Sequence, residues 1–340
     1  MAIDRVLIAG HGSIGRRHLK LARALLPDAT IKVLHYRSTD IVPEYADGSL
    51  FSIADAIQFQ PEIAVVAGPS SHHVSTALPL AEAGVHLLIE KPLDAISDHI
   101  KSLLRVCAER QIVLLTGYNL RFLASLQAFR DAIQSAKIGR VCSVRCEVGQ
   151  YLPDWRPGSD YRLSVSASAN LGGGVLRELS HEIDYLRWIF GEVVWVKATV
   201  ARQSVLEIDV EDSAFLTLGF HSGNDGPALI GTLNMDFVRH DSVRTCVAIG
   251  EKGSLRWNGL TGVVDCFEAG EKEWKVHATM PPERDHSYLA EWTHFLRCVD
   301  GNEKPAVSGV DGYRTVQIIE AAKLSSLRDR TVLIDNETLK

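Results

Sequence analysis

Apolar positions along this chain follow two different rhythms. In the first third, short runs at Arg5–Ala9, Ile31–His35, Glu62–Ala67, Val85–Ile89 and Ile112–Thr116 are apolar almost without interruption. Between them, Arg16–Leu26, Phe51–Gln60, Val74–Ala83 and Ser97–Arg110 repeat apolar residues at steps of three and four. Unbroken short runs predict strands buried on both faces, and their alternation with helices predicts βαβ units in a parallel sheet. Past about residue 140 the period becomes two. Val144, Cys146 and Val148 alternate with Arg145 and Glu147, and alternation returns at Val194–Val200, Ala214–Phe220, Leu229–Phe237 and Val243–Ile249. After the turn Gly250-Glu251-Lys252-Gly253, further short strands are expected at Leu255–Trp257, Val263–Phe267 and Trp274–His277. Helical spacing marks Phe122–Ile138, Leu176–Phe190, Asp285–Val299 and Val310–Leu327. The fold class expected is an α/β Rossmann N-terminal domain, residues 1–120, plus an α+β C-terminal domain, 121–340, with a large, mostly antiparallel open sheet. The last two helices are expected to pack under that sheet or back on the first domain.

Composition narrows this picture. A chain of 340 residues exceeds one typical core, and 46% hydrophobic with 23% charged residues describes a globular protein. Its 36 basic and 42 acidic residues leave a net charge of −6, so no general basic field invites nucleic acid or an anionic membrane. No apolar run reaches the roughly eighteen residues of a membrane span, and MAIDRVLIAG enters a strand rather than a signal peptide, so the expected location is cytoplasmic. The six cysteines contain no C-x-x-C pair and are read as reduced and structural, with no metal site. One wide sheet with a free face predicts a homodimer or homotetramer formed through the second domain.

Candidate chemistry begins at Gly10-His11-Gly12-Ser13-Ile14-Gly15, a G-x-G-x-x-G turn between the first strand and the first helix. Its glycines permit the tight turn, the approach of a pyrophosphate and close helix–strand packing, with the helix N-terminus aimed at the phosphates. Where the second strand ends, a carboxylate would bind an adenosine ribose, but here the chain reads His35-Tyr36-Arg37-Ser38 and the first acid is Asp40. Arg37 and Ser38 suit a 2′-phosphate, so NADP(H) is the preferred cofactor and NAD(H) the alternative; Arg37 stacking on the adenine or facing water is the competing account. Gly68-Pro69-Ser70-Ser71-His72-His73 follows the next strand, where its hydroxyls either bind ribose or phosphate or simply cap the helix. Gly68, Ser70 and His73 are taken as cofactor contacts. Lys91, at the end of the following strand in Glu90-Lys91-Pro92, is placed to stabilise an alkoxide, or is a solvated lysine.

Around residues 171–190 three glycines lead into an amphipathic segment with Leu176, Leu179, Ile183, Leu186 and Phe190 on one side. Glu178, His181, Asp184 and Tyr185 share the other, a grouping that suits proton transfer as well as it suits an ordinary charged surface. Between the strands and these glycines, Gln150–Arg162 has no period and two prolines. Tyr151, Trp155 and Tyr161 offer flat faces for a sugar ring and Arg156 and Arg162 offer charge for a carboxylate or phosphate, or the arm packs on a neighbouring subunit.

The ordered set GHGSIG, IEKPL, GYNLRF, LGGGVLRELSHEIDYLRWIFG and IGEKGSL resembles the Gfo/Idh/MocA family over essentially the whole chain. That resemblance implies NAD(P)-dependent oxidation or reduction of sugars, sugar acids, nucleotide sugars or cyclitols. It implies Lys91 and His181 as the working pair, with His181 the general acid/base, Asp184 in the H-x-x-D position, and Glu90, Lys91 and Asn119 near the cofactor. Many members place an aspartate four residues before the histidine, where this chain has Arg177, with Glu178 one residue later. The rival readings are a non-catalytic dinucleotide-binding sensor and a dehydratase-type enzyme that recycles its bound cofactor.

Overall fold

The unbroken apolar runs build a parallel sheet. In the computed structural model, which describes residues 3–36, 42–221 and 228–335, the elements begin β1 (Arg5–Ala9), α1 (Ser13–Leu25), β2 (Thr30–Leu34) and β3 (Gly48–Leu50). They continue α2 (Ile53–Gln58), β4 (Ile63–Val66), α3 (His73–Glu82), β5 (His86–Glu90), α4 (Ser97–Glu109) and β6 (Leu114–Gly117). The strand order is β3-β2-β1-β4-β5-β6 and every neighbouring pair is parallel. Every residue of β4 is wholly buried, as are Val6–Ala9 of β1, because helices cover both faces of such a sheet. The order reverses between β1 and β4, so the crevice at their carboxyl ends is the switch point where this architecture binds ligands.

The described residues divide into two compact units, those up to Tyr118 with Tyr288–Val316, and Asn119–Ser287 with the described residues from Gln317 to Asp335. The second unit holds α5 (Ala124–Gln134), β7 (Val141–Gly149), α6 (Val175–Glu178), α7 (His181–Phe190), β8 (Val193–Ala201), β9 (Ser213–Phe220) and β10 (Ile230–Asp236). It continues with β11 (Val243–Gly250), β12 (Gly253–Asn258), β13 (Val263–Glu268) and β14 (Lys275–Thr279). Two helices follow, α8 (His286–Val299) and α9 (Gly309–Arg328), and then β15 (Val332–Leu333). The second sheet runs β14-β13-β12-β11-β7-β10-β9-β8-β15; β10 pairs with β7 in parallel and all other neighbours are antiparallel. Alternation is visible in β10, where Gly231, Leu233 and Met235 are buried while Ile230, Thr232 and Asn234 are exposed. All six cysteines are free thiols, five of them buried. Among the described residues, no helix is long and apolar enough to cross a membrane.

Within the first unit, a buried polar chain ties α8 to α1 and to the end of β5. The indole of Trp292 donates to His18 Nδ1 at 2.8 Å, and His18 Nε2 lies 2.8 Å from Glu90 Oε1. An indole N–H only donates, so His18 Nδ1 must present its lone pair and the ring proton sits on Nε2, facing Glu90. Burial pushes the Glu90 carboxyl up, but the hydrogen bond from His18, the charge of Lys91 and the Lys91 amide outweigh it and hold the group below its ordinary value. Glu291, fully buried one residue before Trp292, takes the opposite course. Neither of its oxygens has a hydrogen-bond partner, and burial together with the Glu90 charge pushes it well above the carboxyl range.

A carboxyl raised in the folded state favours folding fully below its unfolded value of about 4.3, and that contribution is lost as pH climbs through the raised value. Glu291→Gln removes the titration. It should therefore gain stability over the parent as pH rises above the ordinary carboxyl range, by as much as roughly 1.4 kcal/mol per pH unit. Urea unfolding across that rise checks this, and a difference that stays flat with pH refutes it.

Candidate functional site

Between β1 and α1, Gly10 has φ +103° and a Cβ there would meet the Ala67 carbonyl oxygen at 2.8 Å. A Cβ on Gly15 would run into the Gly10 carbonyl, whereas one on Gly12 meets nothing within 4 Å. The crowded glycines thus close the turn on itself, and the middle one leaves an open approach. Helix α1 then starts at Ser13 with no side-chain cap and no acid in its first turn. Its first amides and positive dipole end suit a dinucleotide pyrophosphate.

A groove of about 440 Å³ opens beyond β2, walled by His35, Tyr36, Phe51, His72 and Thr76 among others. Tyr36 Oη lies 2.9 Å from Thr76 Oγ1, and the ring packs so tightly on Gly68 that a Cβ there would come within 2.6 Å of it. In this fold the adenosine ribose lies at the end of the second strand, which makes Tyr36, Phe51 and Thr76 candidate walls that the sequence reading passed over. Their signal was available only in part, in the His35-Tyr36 pair beside Arg37. Arg37 and Ser38 lie outside the described residues.

Past β4, Ser70 is buried and opens a short 3-10 turn. At the start of α3, Asp94 Oδ2 accepts the Val74 amide at 3.0 Å. Ser71 Oγ is buried without a hydrogen-bond partner. His73, 1% exposed, sets Nδ1 2.9 Å from the Pro92 oxygen and Nε2 2.9 Å from the Gly68 oxygen, stapling the loops after β4 and β5. Its burial holds the imidazole below its usual value despite those carbonyls. Lys91 follows directly on the anchored Glu90: its amide donates to Glu90 Oε2 at 3.1 Å, so the same carboxylate that ends the Trp292–His18 chain also holds the lysine backbone.

In the second unit the segment after the three glycines is not one continuous helix. It breaks at Leu179–Ser180, where Ser180 N bonds Arg177 O and Glu182 N bonds Leu179 O, both at a spacing of three. Glu178 therefore ends α6 while His181 begins α7, and the two do not stand one turn apart on a single helix. Nor does α7 have a solvated face, because His181–Arg187 are all buried. Each charge is met from inside. Arg121 grips Asp184 with both arms, Nε to Oδ2 at 2.8 Å and Nη2 to Oδ1 at 2.6 Å. Arg244 Nε meets Glu182 Oε1 at 2.8 Å, and Arg187 meets Glu192 with both arms. Tyr185 Oη lies 2.9 Å from Cys146 Sγ. His181, 9% exposed, thus heads a helix pinned by ion pairs, and Asp184 with both oxygens on Arg121 is built to orient. Asn119, 5% exposed, donates to Ser287 Oγ at 2.7 Å.

The aromatic arm folds onto its own unit. Trp155 meets Phe237 edge-on with centroids 5.1 Å apart and its indole donates to the Gln150 oxygen, while Tyr151 lies 4.1 Å from His240. A cavity of about 300 Å³ remains among Leu152, Trp155, Arg156, Tyr161 and neighbouring residues. Tyr161 Oη accepts the Glu207 amide, and Arg162 is engaged by Asp160 and Glu207, which spends the charge expected for a ligand. Arg156 stays exposed at the cavity. Among the described residues, no group of three His, Cys, Asp or Glu is placed to hold a metal ion.

Comparison with known proteins agrees with this architecture. Residues 5–118 match the model of an oxidoreductase family's NAD-binding Rossmann fold, and residues 130–334 match the C-terminal alpha/beta domain of the same family. A myo-inositol 2-dehydrogenase of Thermotoga maritima is 27% identical over 282 residues, which cover 80% of this chain and 79% of that protein. An inositol 2-dehydrogenase of Rhizobium meliloti is 25% identical, covering 96% of this chain and 98% of its own. Among solved structures, the WlbA dehydrogenase of Bordetella pertussis, in complex with NADH and UDP-GlcNAcA, superposes with a TM-score of 0.80. That match has 22% identity over 99% of this chain and 100% of the other, a likeness of fold. The resemblance read from the motifs is therefore borne out: the chain belongs to the GFO/IDH/MocA oxidoreductase family, with an NAD-binding Rossmann unit and the family's C-terminal alpha/beta unit.

Proposed function

We propose that this protein is an NADP(H)-preferring dehydrogenase or reductase that interconverts an alcohol and a ketone on a carbohydrate-like substrate. The observation that carries this reading is the sheet's switch point. There the open glycine loop and uncapped α1 follow β1, and Lys91 stands at the end of β5 on a backbone clamped by Glu90. The relatives support the substrate class, since those named above are inositol dehydrogenases. The nicotinamide ring, when bound, supplies the hydride chemistry. Gly10, Gly12, Ser13, Ile14 and Gly15 hold the pyrophosphate, with Gly68, Ser70, His73, Glu90, Lys91 and Asn119 completing the cofactor contacts.

In the oxidising direction His181 takes the hydroxyl proton, and Lys91 donates a hydrogen bond to the developing alkoxide. In reverse, His181 returns that proton. Asp184 acts through orientation, since Arg121 occupies both of its oxygens. Glu178, the last residue of α6, is in sequence the acid next to the position where many members of the family place an aspartate, and it is the candidate replacement. The arm residues Tyr151, Trp155, Arg156, Tyr161 and Arg162 line the approach of substrate, with Arg156 their available cation. A sensor that has abandoned catalysis is disfavoured because both Lys91 and His181 are retained. An elimination that recycles the cofactor is separated from simple dehydrogenation by product analysis.

Replacing His181 with Ala should lower turnover about a hundredfold or more while leaving dinucleotide affinity in place. Stopped-flow turnover with a panel of sugars, sugar acids and cyclitols tests it; unchanged turnover removes His181 from the chemistry.

Cofactor preference rests on Arg37 and Ser38, which follow the end of β2 in the sequence. NADPH should bind at least about tenfold more tightly than NADH, and Arg37→Ala should erase most of that margin. Fluorescence titration decides, and equal affinities return the preference to NAD(H).

Self-association through the open face of the second sheet is proposed because Phe215 and Ile230 stand 44% and 46% exposed there. Light scattering should find a dimer or tetramer that Phe215→Glu weakens. A monomer at micromolar concentration ends this part of the proposal.

A further inference from the structure

Behind the Lys91 turn runs a buried polar chain whose inner members, His18 and Trp292, belong to none of the motifs read in the sequence. Its outer member is Glu90, whose carboxylate lies over the neighbouring strand: a Cβ on Gly117, its register partner on β6, would meet Glu90 Oε2 at 3.3 Å. Oε2 accepts the Lys91 amide, and Oε1 accepts from His18 Nε2 on α1. Trp292 of α8 gives its indole N–H to the opposite nitrogen of that ring, and both side chains are wholly buried. Helices far apart in sequence thus end on one carboxylate, and that carboxylate ends on the root of Lys91.

Direction matters in this chain. An indole can only donate, so the His18 proton is left on the nitrogen that faces Glu90. Without the indole the ring is free to carry its proton on Nδ1 and turn a lone pair toward the carboxylate, which repels it. Glu90 itself has no room for a proton, because each of its oxygens faces a donor and a protonated carboxyl must turn one oxygen into a donor. Burial pushes Glu90 up; against it act first the His18 hydrogen bond, then the charges of His18 and Lys91 and the Lys91 amide. A second acid, Glu291, is buried one residue before Trp292 with neither oxygen hydrogen-bonded, and burial with the Glu90 charge holds it well above the carboxyl range. The other groups facing Glu90 are His73 on α3 and Tyr288 on α8, whose ring carries Arg17 at 4.7 Å. Of the two acids, the one with hydrogen bonds keeps the charge.

We propose that His18 and Trp292 are positioning residues for Lys91: the indole fixes the donor side of the His18 ring on Glu90, and Glu90, held as a carboxylate, fixes the lysine root through its amide. The proposal rests on the reading of Lys91 as the group that meets the developing alkoxide. Both residues act through Glu90 and not on the reacting atoms.

The first readout needs no substrate. Carboxyl NMR of the full chain with labelled glutamate, Glu90→Gln identifying the resonance, should show Glu90 titrating at least about one pH unit higher in His18→Leu and in Trp292→Phe than in the parent. His18→Gln, which keeps an N–H on the side of Oε1, should recover most of that difference. The second readout is turnover of whichever sugar, sugar acid or cyclitol reacts. Relative to the parent at each pH, kcat of His18→Leu and Trp292→Phe should be about tenfold lower below the new Glu90 titration and recover above it, with the dinucleotide KM within about twofold. A merely structural loss lowers kcat evenly across pH and is not reversed by His18→Gln. Should His18→Leu melt early, Trp292→Phe, which keeps an aromatic ring in place, carries the test. Lys91→Met separates the two ways of failing. Lost turnover in Lys91→Met, with an unmoved Glu90 titration or a pH-independent kcat ratio in the other variants, overturns this inference alone; normal turnover in Lys91→Met removes Lys91 from the chemistry and this inference with it.

Discussion

A charge taken out of water must be met by an opposite charge or by hydrogen bonds, or it will not stay charged. Both candidate catalytic residues sit in segments organised by that constraint. Helix α7 carries two acids and an arginine in the interior, and Arg121, Arg244 and Glu192 reach them from a turn before α5, from β11 and from the start of β8. Removing one partner of such a pair leaves the other buried and uncompensated, at a cost of roughly 3–5 kcal/mol. These ion pairs therefore contribute less to net stability than to fixing one arrangement, because any shift of α7 separates several charges at once. The direction of His181 is inherited from that arrangement. On the parallel sheet, Glu90 obeys the same rule, accepting hydrogen bonds from the His18 ring and the Lys91 amide with the Lys91 charge beside it.

How much of this was legible depends on whether the signal was local. Strands buried on both faces show as unbroken apolar runs, and the predicted β1, β2, β4, β5 and β6 all appear within a residue or two of their predicted ends. Alternation found the strands of the second sheet for the same reason. β3 escaped because three residues, Gly48–Leu50, all half-buried, carry no period. β15, two residues long, escaped likewise. The parallel pairing of β7 with β10 was not readable either, since register belongs to strands about ninety residues apart in the chain.

At the site, the glycine loop and the Glu90-Lys91-Pro92 turn were read from local patterns, and the first unit holds them at the expected strand ends. The polar side of the segment at 171–190 was read as one face of one helix, and that picture failed twice. Hydrogen bonds tighten at Leu179–Ser180, and the polar face turns inward because arginines distant in sequence neutralise it. A polar face whose partners lie 62 and 63 residues away looks, in sequence, the same as one facing water. Trp292 and His18, 274 residues apart, make the same point.

The division of labour follows from what each kind of anchor controls. Glu90 binds the backbone of Lys91, so the root of its four-carbon stem is fixed. His181 is different: a short, flat side chain at the first residue of a helix has its position dictated almost wholly by the helix axis. Fixing that axis through Glu182 and Asp184, one and three residues past His181, needs no contact with the imidazole itself. In the proposed mechanism, a cation on a fixed root and an imidazole on a fixed helix are complementary solutions. Under that proposal the first meets the developing alkoxide and the second the departing proton, and anchoring both roots is what an oriented proton transfer requires.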